Sequence, residues 1–313
     1  MSKQEEKIPF GGKTASGTDT NPSNIMPAKL TPDSRLKFRC HPGVSCFTAC
    51  CGDINIILTP YDILRIRKAT NLPADEFLLR FTTPVFLEKT DMPGVKLHLD
   101  ENGRCPFVTD EGCTIYPDRP TTCRYYPVGM SFFHEAADVG GTSEEFYFLV
   151  KEPHCKGHDE KQEMTIREWR SDQGIDDSDH MNKEWMELVM RRKSFGMQAT
   201  LSEAAQKMFF MASTDLDKFR SFVFSKSFLD TYELDQHTLD TIKDDDIALM
   251  KFSFKYLASS LFGTQDLKIK DEKIKAKAEQ IRQKQGDLEK KAEETYKQLE
   301  ADRDMLLAEM KKK

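Results

Sequence analysis

Cys40, Cys46, Cys50 and Cys51 stand within twelve residues, Cys105, Cys113 and Cys123 form a second group, and Cys155 follows in Pro153-His154-Cys155-Lys156-Gly157-His158. Thiols gathered in this way bind a metal or form disulfides. A thiol becomes a metal ligand as its thiolate, and bound zinc, copper(I) or an iron–sulfur cluster lowers its pKa enough for that near neutrality. The competing readings are buried free thiols and redox disulfides, and the adjacent Cys50 and Cys51 make a poor disulfide with each other. All eight cysteines are candidate ligands, either as two four-thiolate sites or as one site with spectators.

The Cys50-Cys51 pair limits the geometry. Neighbouring side chains point to opposite faces of a strand and diverge by about 100° on a helix. Either the backbone turns sharply there, which Gly52 makes easier, or the two thiolates serve different centres. Pro117 and Pro120 stiffen the loop between Cys113 and Cys123, and Arg119 and Arg124 bring positive charge to a group of anionic sulfurs. His41, His154 and His158 lie beside or near cysteines but are read as surface residues and left out of the ligand set. The nearest acids or bases that are not ligands are Asp53, Asp62 and Tyr126, none specific enough to name as catalytic, so whether the protein is an enzyme stays open.

At 313 residues the chain can bury a core without staples, so the cysteines are not needed for stability. Neither a signal-peptide-like apolar run near the start nor a later stretch of about 18 apolar residues is present. These features point to a soluble, cytoplasmic protein without membrane partners, and in that reducing compartment clustered thiols are metal or redox groups. A net charge of −6 without a basic, aromatic-laced stripe argues against nucleic acid as a partner.

These side chains must be positioned by the elements around them. Residues 1–34, rich in Gly, Ser, Thr, Asn, Pro and Lys, are expected to form a disordered arm. Residues 35–160 read as an irregular cysteine-cluster metal-binding domain with short elements. Thr59-Pro60-Tyr61-Asp62 is a helix start with a capping residue, a first-turn proline and an acid at the third position, predicting a helix over roughly 60–70. Pro73-Ala74-Asp75-Glu76 opens another helix. The alternating Val95–Leu99 and the run Phe146–Val150 predict strands of a small sheet. Residues 161–263 carry helical apolar spacing around Trp185, Met208 and Phe209, and again over residues 247–261. Residues 264–313 read as a long charged helix. Its 4–3 line Ile274, Ala278, Ile281, Leu288, Ala292, Leu299 and Leu306 is interrupted by Gln285, Thr295 and Asp302, giving weak coiled-coil potential and a candidate surface for a protein partner. The expected fold class is α+β.

Around these cysteines the chain resembles the YkgJ-type cysteine-cluster family of zinc- or iron-chelating domains, which carry a C-x-x-C-x-x-C-C-like signature. The resemblance rests on Phe38-Arg39-Cys40 through Cys50-Cys51-Gly52, Thr59-Pro60-Tyr61-Asp62-Ile63, Cys105-Pro106-Phe107-Val108, and Cys113 through Pro127. It covers roughly residues 36–158. It implies that Cys40, Cys46, Cys50, Cys51, Cys105, Cys113 and Cys123 bind a metal, with Cys155 as an eighth ligand and an iron–sulfur cluster or zinc as the cofactor. The chain departs from the pattern in placing five residues between Cys40 and Cys46, where the family usually has two or three. One branch of the family resembles flagellin lysine N-methylases. Neither a G-x-G-x-x-G fingerprint nor a C-x3-C-x2-C radical triad accompanies the cluster here. The leading expectation is therefore a metal-binding protein of unspecified role, ahead of a cluster-dependent protein- or peptide-modifying enzyme and of a zinc-stabilised interaction module.

Overall fold

The structure, a computed structural model, describes residues 29–87, 90–134, 143–195 and 200–310. Most of the arm expected at residues 1–34 lies outside them. In chain order the first elements are β1 (Arg35–Lys37), β2 (Ile57–Leu58), α1 (Pro60–Thr70), α2 (Ala74–Phe81), β3 (Thr82–Leu87) and β4 (Met92–Leu97). Then come β5 (Val108–Thr109), β6 (Gly112–Cys113), α3 (Thr121–Tyr125), β7 (Val128–His134), β8 (Ser143–Leu149) and β9 (Glu163–Thr165). The chain continues through α4 (Ile166–Asp172), α5 (Ile175–Ser194), α6 (Glu203–Thr214), α7 (Leu216–Val223), α8 (Lys226–Thr231) and β10 (Tyr232–Glu233). It ends with α9 (Gln236–Asp244), α10 (Asp246–Phe262), β11 (Lys268–Ile269) and α11 (Asp271–Met310). The fold is α+β, as expected.

Local chemistry sets the helix ends. The Thr59 hydroxyl accepts from the Asp62 amide while the Asp62 carboxylate accepts from the Thr59 amide, a complete capping box that starts α1 at Pro60. Thr165 and Glu168 repeat the device at α4. The helix α10 stops at Gly263, whose φ of 66° is left-handed.

The strands form small antiparallel units. The largest has the order β2-β4-β3, with Ile57 opposite Lys96 on one side and Thr83 opposite Lys96 on the other. The hairpin β5–β6 sets Val108 against Cys113, β7 pairs with β8, and β1 reaches across the chain to β9.

Three apolar cores hold these pieces. One lies among the C-terminal helices, around Trp185, Phe209, Phe219, Leu249, Met250 and Leu257, with Trp185 stacked on Phe209 at 5.5 Å between centroids. A second is built by Ile56, Ile63, Ile66, Phe77, Val95 and Phe107. The third gathers Leu36, Phe38, Val128, Tyr147, Ile166 and Trp169. Helix α1 serves two of them. Its Ile63 and Ile66 enter the second core, while Tyr61 and Leu64 on another face enter the helical one. The helical region also reaches back, since the Asp217 carboxylate of α7 accepts from the Ala74 amide at the start of α2 and from Arg67.

Residues 264–270 fold back before the final helix departs. Leu267 is buried in the helical core, Tyr232 pairs with Ile269, and the Lys270 amide donates to the Thr231 carbonyl. Of the forty residues of α11, those whose burial is described are almost all solvent-exposed. No helix among the described residues is long and apolar enough to cross a membrane.

Candidate metal centre

A tight turn positions the first cysteines. Residues 49–51 form one 3-10 turn, entered through Thr48 in the left-handed region at φ 65° and left through extended Gly52. The Ala49 amide donates to the Cys46 carbonyl and the Cys51 amide to the Thr48 carbonyl. The second group is stitched directly to this turn: the Cys105 amide donates to the Cys51 carbonyl at 2.8 Å, Gly52 bridges Arg104, and the Asp53 amide donates to the Gly103 carbonyl. Cys113 sits in β6 and Cys123 in α3. Cys155 arrives on the turn before Gly157, where the neighbouring Lys156 amide donates to the Cys46 sulfur at 3.0 Å.

All eight cysteines are free thiols, and all eight line one cavity of about 680 Å³. Their mutual electrostatics divide them. Cys40 is influenced by Cys46, Cys50 and Cys155, and Cys155 by Cys46 and Cys50. Cys51 is influenced first by Cys50 and then by Cys105 and Cys123, Cys105 by Cys113, and Cys123 by Cys105 and Cys113. The thiols form two neighbouring quartets, Cys40, Cys46, Cys50 and Cys155 in one and Cys51, Cys105, Cys113 and Cys123 in the other, joined by the interaction of Cys50 with Cys51. They meet at the Cys50-Cys51 peptide. The second quartet leans on the second core, against which Cys105, Cys113 and Cys123 pack, whereas Cys155 packs on the third core.

Burial raises most of these thiols, because a thiolate loses hydration there. Burial and then the neighbouring Cys50, Cys46 and Cys155 sulfurs push Cys40 up to about 11. Burial and Cys105 push Cys123 up to about 12. Cys50 is the exception. A hydrogen bond from the Cys51 thiol holds Cys50 down to about 7 and drives Cys51 itself upward.

Of the two expected arginines, Arg119 faces the thiols and opposes the burial of Cys113 and Cys123. It is only 8% exposed, lies 3.8 Å over the Tyr116 ring, and donates to the Tyr116 carbonyl and the Gln173 side chain at 2.6 Å each. The Arg124 guanidinium is committed elsewhere, donating to the carbonyls of Pro117, Gln173 and Arg119. Burial raises Cys105, and Arg104, which the sequence did not single out, partly opposes that rise.

His41 and His154 do line the cavity. His41 Nδ1 accepts from the Gly43 amide and its Nε2 lies 3.4 Å from Glu160, while His154 Nε2 lies 3.4 Å from Glu152. His158 faces the Val150 carbonyl and packs edge-on against Phe38. The Tyr126 hydroxyl is buried without a well-formed hydrogen bond, beside the Cys155 thiol. Asp62 does more than cap α1. It is 2% exposed and also accepts from the Thr121 amide and hydroxyl, and Thr121 continues the chain of contacts to Ser178 and Asn182 of α5. Thr121 begins the helix that holds Cys123, a link that spacing along the chain could not reveal.

Among the described residues no three His, Cys, Asp or Glu side chains converge on a point as one ion requires. The sulfurs stand instead around the cavity wall. Eight free thiols, with guanidinium groups partly offsetting the burial of Cys105, Cys113 and Cys123, are a donor set suited to a soft metal or an iron–sulfur cluster. The family model CxxCxxCC, described as "Putative zinc- or iron-chelating domain", matches residues 39–173. Over these residues the chain is similar to this family. The matched span includes α4 and closes at Gln173, the residue that clamps Arg119. No curated protein and no solved structure matches the chain.

Proposed function

We propose that the CxxCxxCC domain is an iron–sulfur protein holding two four-thiolate clusters, one on Cys40, Cys46, Cys50 and Cys155 and the other on Cys51, Cys105, Cys113 and Cys123. The observation that carries this reading is a single cavity lined by all eight thiols, with Cys105, Cys113 and Cys123 packed on the second core and Cys155 on the third. A tetrahedral zinc draws four sulfurs to about 2.3 Å from a single point. Thiols distributed over a cavity wall suit a body of several atoms. Such clusters supply one-electron chemistry, with potentials tuned by net charge, hydrogen bonds to sulfur and exposure. Here the Lys156 amide on Cys46 and the cations Arg104 and Arg119 beside the second quartet provide that tuning.

The test is to purify the full chain without oxygen, quantify iron, acid-labile sulfide and zinc, and record the visible spectrum. Iron and sulfide in equal amounts, with Cys50→Ser and Cys51→Ser each removing about half of both, are expected from two clusters of four thiolates each. Colourless protein with stoichiometric zinc overturns the iron–sulfur reading. Loss of all metal in either single variant, with the fold retained, overturns the division into two centres.

A further inference from the structure

The mouth of the thiol-lined cavity is framed by cations that the thiols do not use. Leu36 and Phe38 are buried, so the alternation along β1 and the residues after it turns Lys37 and Arg39 outward, and both are exposed. The facing segment brings three more. Lys37 lies opposite Glu163, the Phe38 amide donates to the Gln162 carbonyl, and the Arg39 amide donates to the Gly157 carbonyl. Exposed Lys161 and Lys156 thereby stand beside Lys37 and Arg39. Exposed Lys151 follows Val150, whose carbonyl meets the His158 ring of the same segment. Arg39 lines the cavity itself, beside Cys40, His41, His154 and Cys155. Among the described residues none of these five cations is in an ion pair, because the nearby carboxylates are engaged otherwise: Glu163 pairs with Arg35, and Glu160 and Glu152 each stand 3.4 Å from a histidine. The result is a positive face on a chain whose net charge is −6.

We propose that this face docks a protein partner through an extended segment carrying Asp or Glu at alternate positions, and that docking sets the partner against the mouth of the cavity. The inference goes beyond the iron–sulfur reading and holds for metal-free protein as well. Charge complementarity fixes the sign of the occupant, since cations left without carboxylates attract an acidic surface and hold it in register. Spacing fixes its form. Alternate residues of a strand are about 7 Å apart, so Lys37 and Arg39 present the repeat that alternate carboxylates of an extended peptide share. Nucleic acid fits this face less well. Glu152, Asp159, Glu160 and Glu163 stand among the cations and repel a continuous run of phosphates, and Phe38 and Trp169 are buried beneath it, offering no ring for a base to stack on.

The full-length protein is titrated into a fluorescein-labelled peptide of alternating glutamate and glycine, with binding read by fluorescence anisotropy over a salt series. Binding that weakens as salt rises is expected. Lys37→Glu with Lys161→Glu, and Lys151→Glu with Lys156→Glu, are each expected to weaken it about tenfold, as exposed attractions become repulsions. Lys284→Glu with Lys291→Glu, on exposed positions of α11, is expected to leave it unchanged. The unaltered protein gives a second readout, acetylation by N-hydroxysuccinimidyl acetate mapped by mass spectrometry. The peptide is expected to shield Lys37, Lys151, Lys156 and Lys161 and to leave Lys284 and Lys291 reactive. Absence of binding, equal weakening by the α11 pair, or tighter binding of a single-stranded oligonucleotide of the same charge overturns the proposal. Shielding of the four lysines without any peptide also overturns it, since a second copy of the chain would then cover the face.

Discussion

At the scale of residues, the consequential feature is the hydrogen bond between adjacent thiols. The turn over residues 49–51 brings the Cys50 and Cys51 side chains close enough to share a proton. Cys51 keeps the proton and Cys50 is stabilised as the thiolate, which is the nucleophilic form. In metal-free protein, Cys50 is therefore expected to be alkylated fastest by iodoacetamide near neutrality, its rate rising as pH passes through about 7 and falling below it. Cys40 is more exposed but is raised to about 11, so exposure alone gives the wrong order. Replacing Cys51 by Ala removes the donor and moves the Cys50 profile to higher pH. Mass-spectrometric rates across a pH series check both statements; a Cys50 profile unmoved by Cys51→Ala would show that the turn, not the thiol, sets its acidity.

At the scale of elements, two contacts decide whether the cysteines are presented at all. Asp62 joins the start of α1 to the start of α3, so Asp62→Ala removes a cap and strands the part-buried Thr121 donors. A lost cap costs about 0.5–2 kcal/mol and an unsatisfied donor at most about 1–3 kcal/mol, giving about 1.5–5 kcal/mol in urea unfolding of metal-free protein. The second contact is at Gly157, where a Cβ would come within 2.6 Å of the Phe38 ring and 3.0 Å of the Arg39 carbonyl. Gly157→Ala is expected to lift the Cys155 loop away from the Cys40 segment and to remove about half of the bound metal, read by elemental analysis, as two four-thiolate centres imply. Neither contact was legible in the sequence. The capping box of α1 was, because Thr59, Pro60 and Asp62 act within one helical turn. The strand around Leu97 was seen by its alternation, but it begins at Met92 because six residues of β3 pair with β4. The second strand was seen from Phe146 and begins at Ser143 because it pairs with β7, whose sequence carries no clear alternation. The approach of the Cys155 turn to Cys46 was beyond reach, since the Lys156 amide meets the Cys46 sulfur from more than a hundred residues away.

At the scale of the molecule, the metal-binding part and the helical part share a spine. Helix α1 feeds two cores, Asp217 caps α2 from α7, and the Asp62–Thr121–Ser178 chain runs into α5. The final helix shares none of these contacts, yet the segment leading to it does. Leu267, 9% exposed, fills part of the helical core and β11 completes the pairing with β10. The place of truncation therefore matters more than the length removed. A chain ending at Lys270 loses an exposed helix and is expected to keep its urea midpoint and its metal. A chain ending at Gly263 loses, in addition, a buried leucine worth about 1.5–3 kcal/mol and the hydrogen bonds of β11 at about 0.5–1.5 kcal/mol each. Trp185 in the helical core and Trp169 in the third core permit the comparison by fluorescence in single-tryptophan variants. A midpoint lowered only in the shorter chain, with both tryptophans reporting one transition, is the outcome expected of cores joined through α1; separate transitions would show that the metal-binding part unfolds independently of the helices.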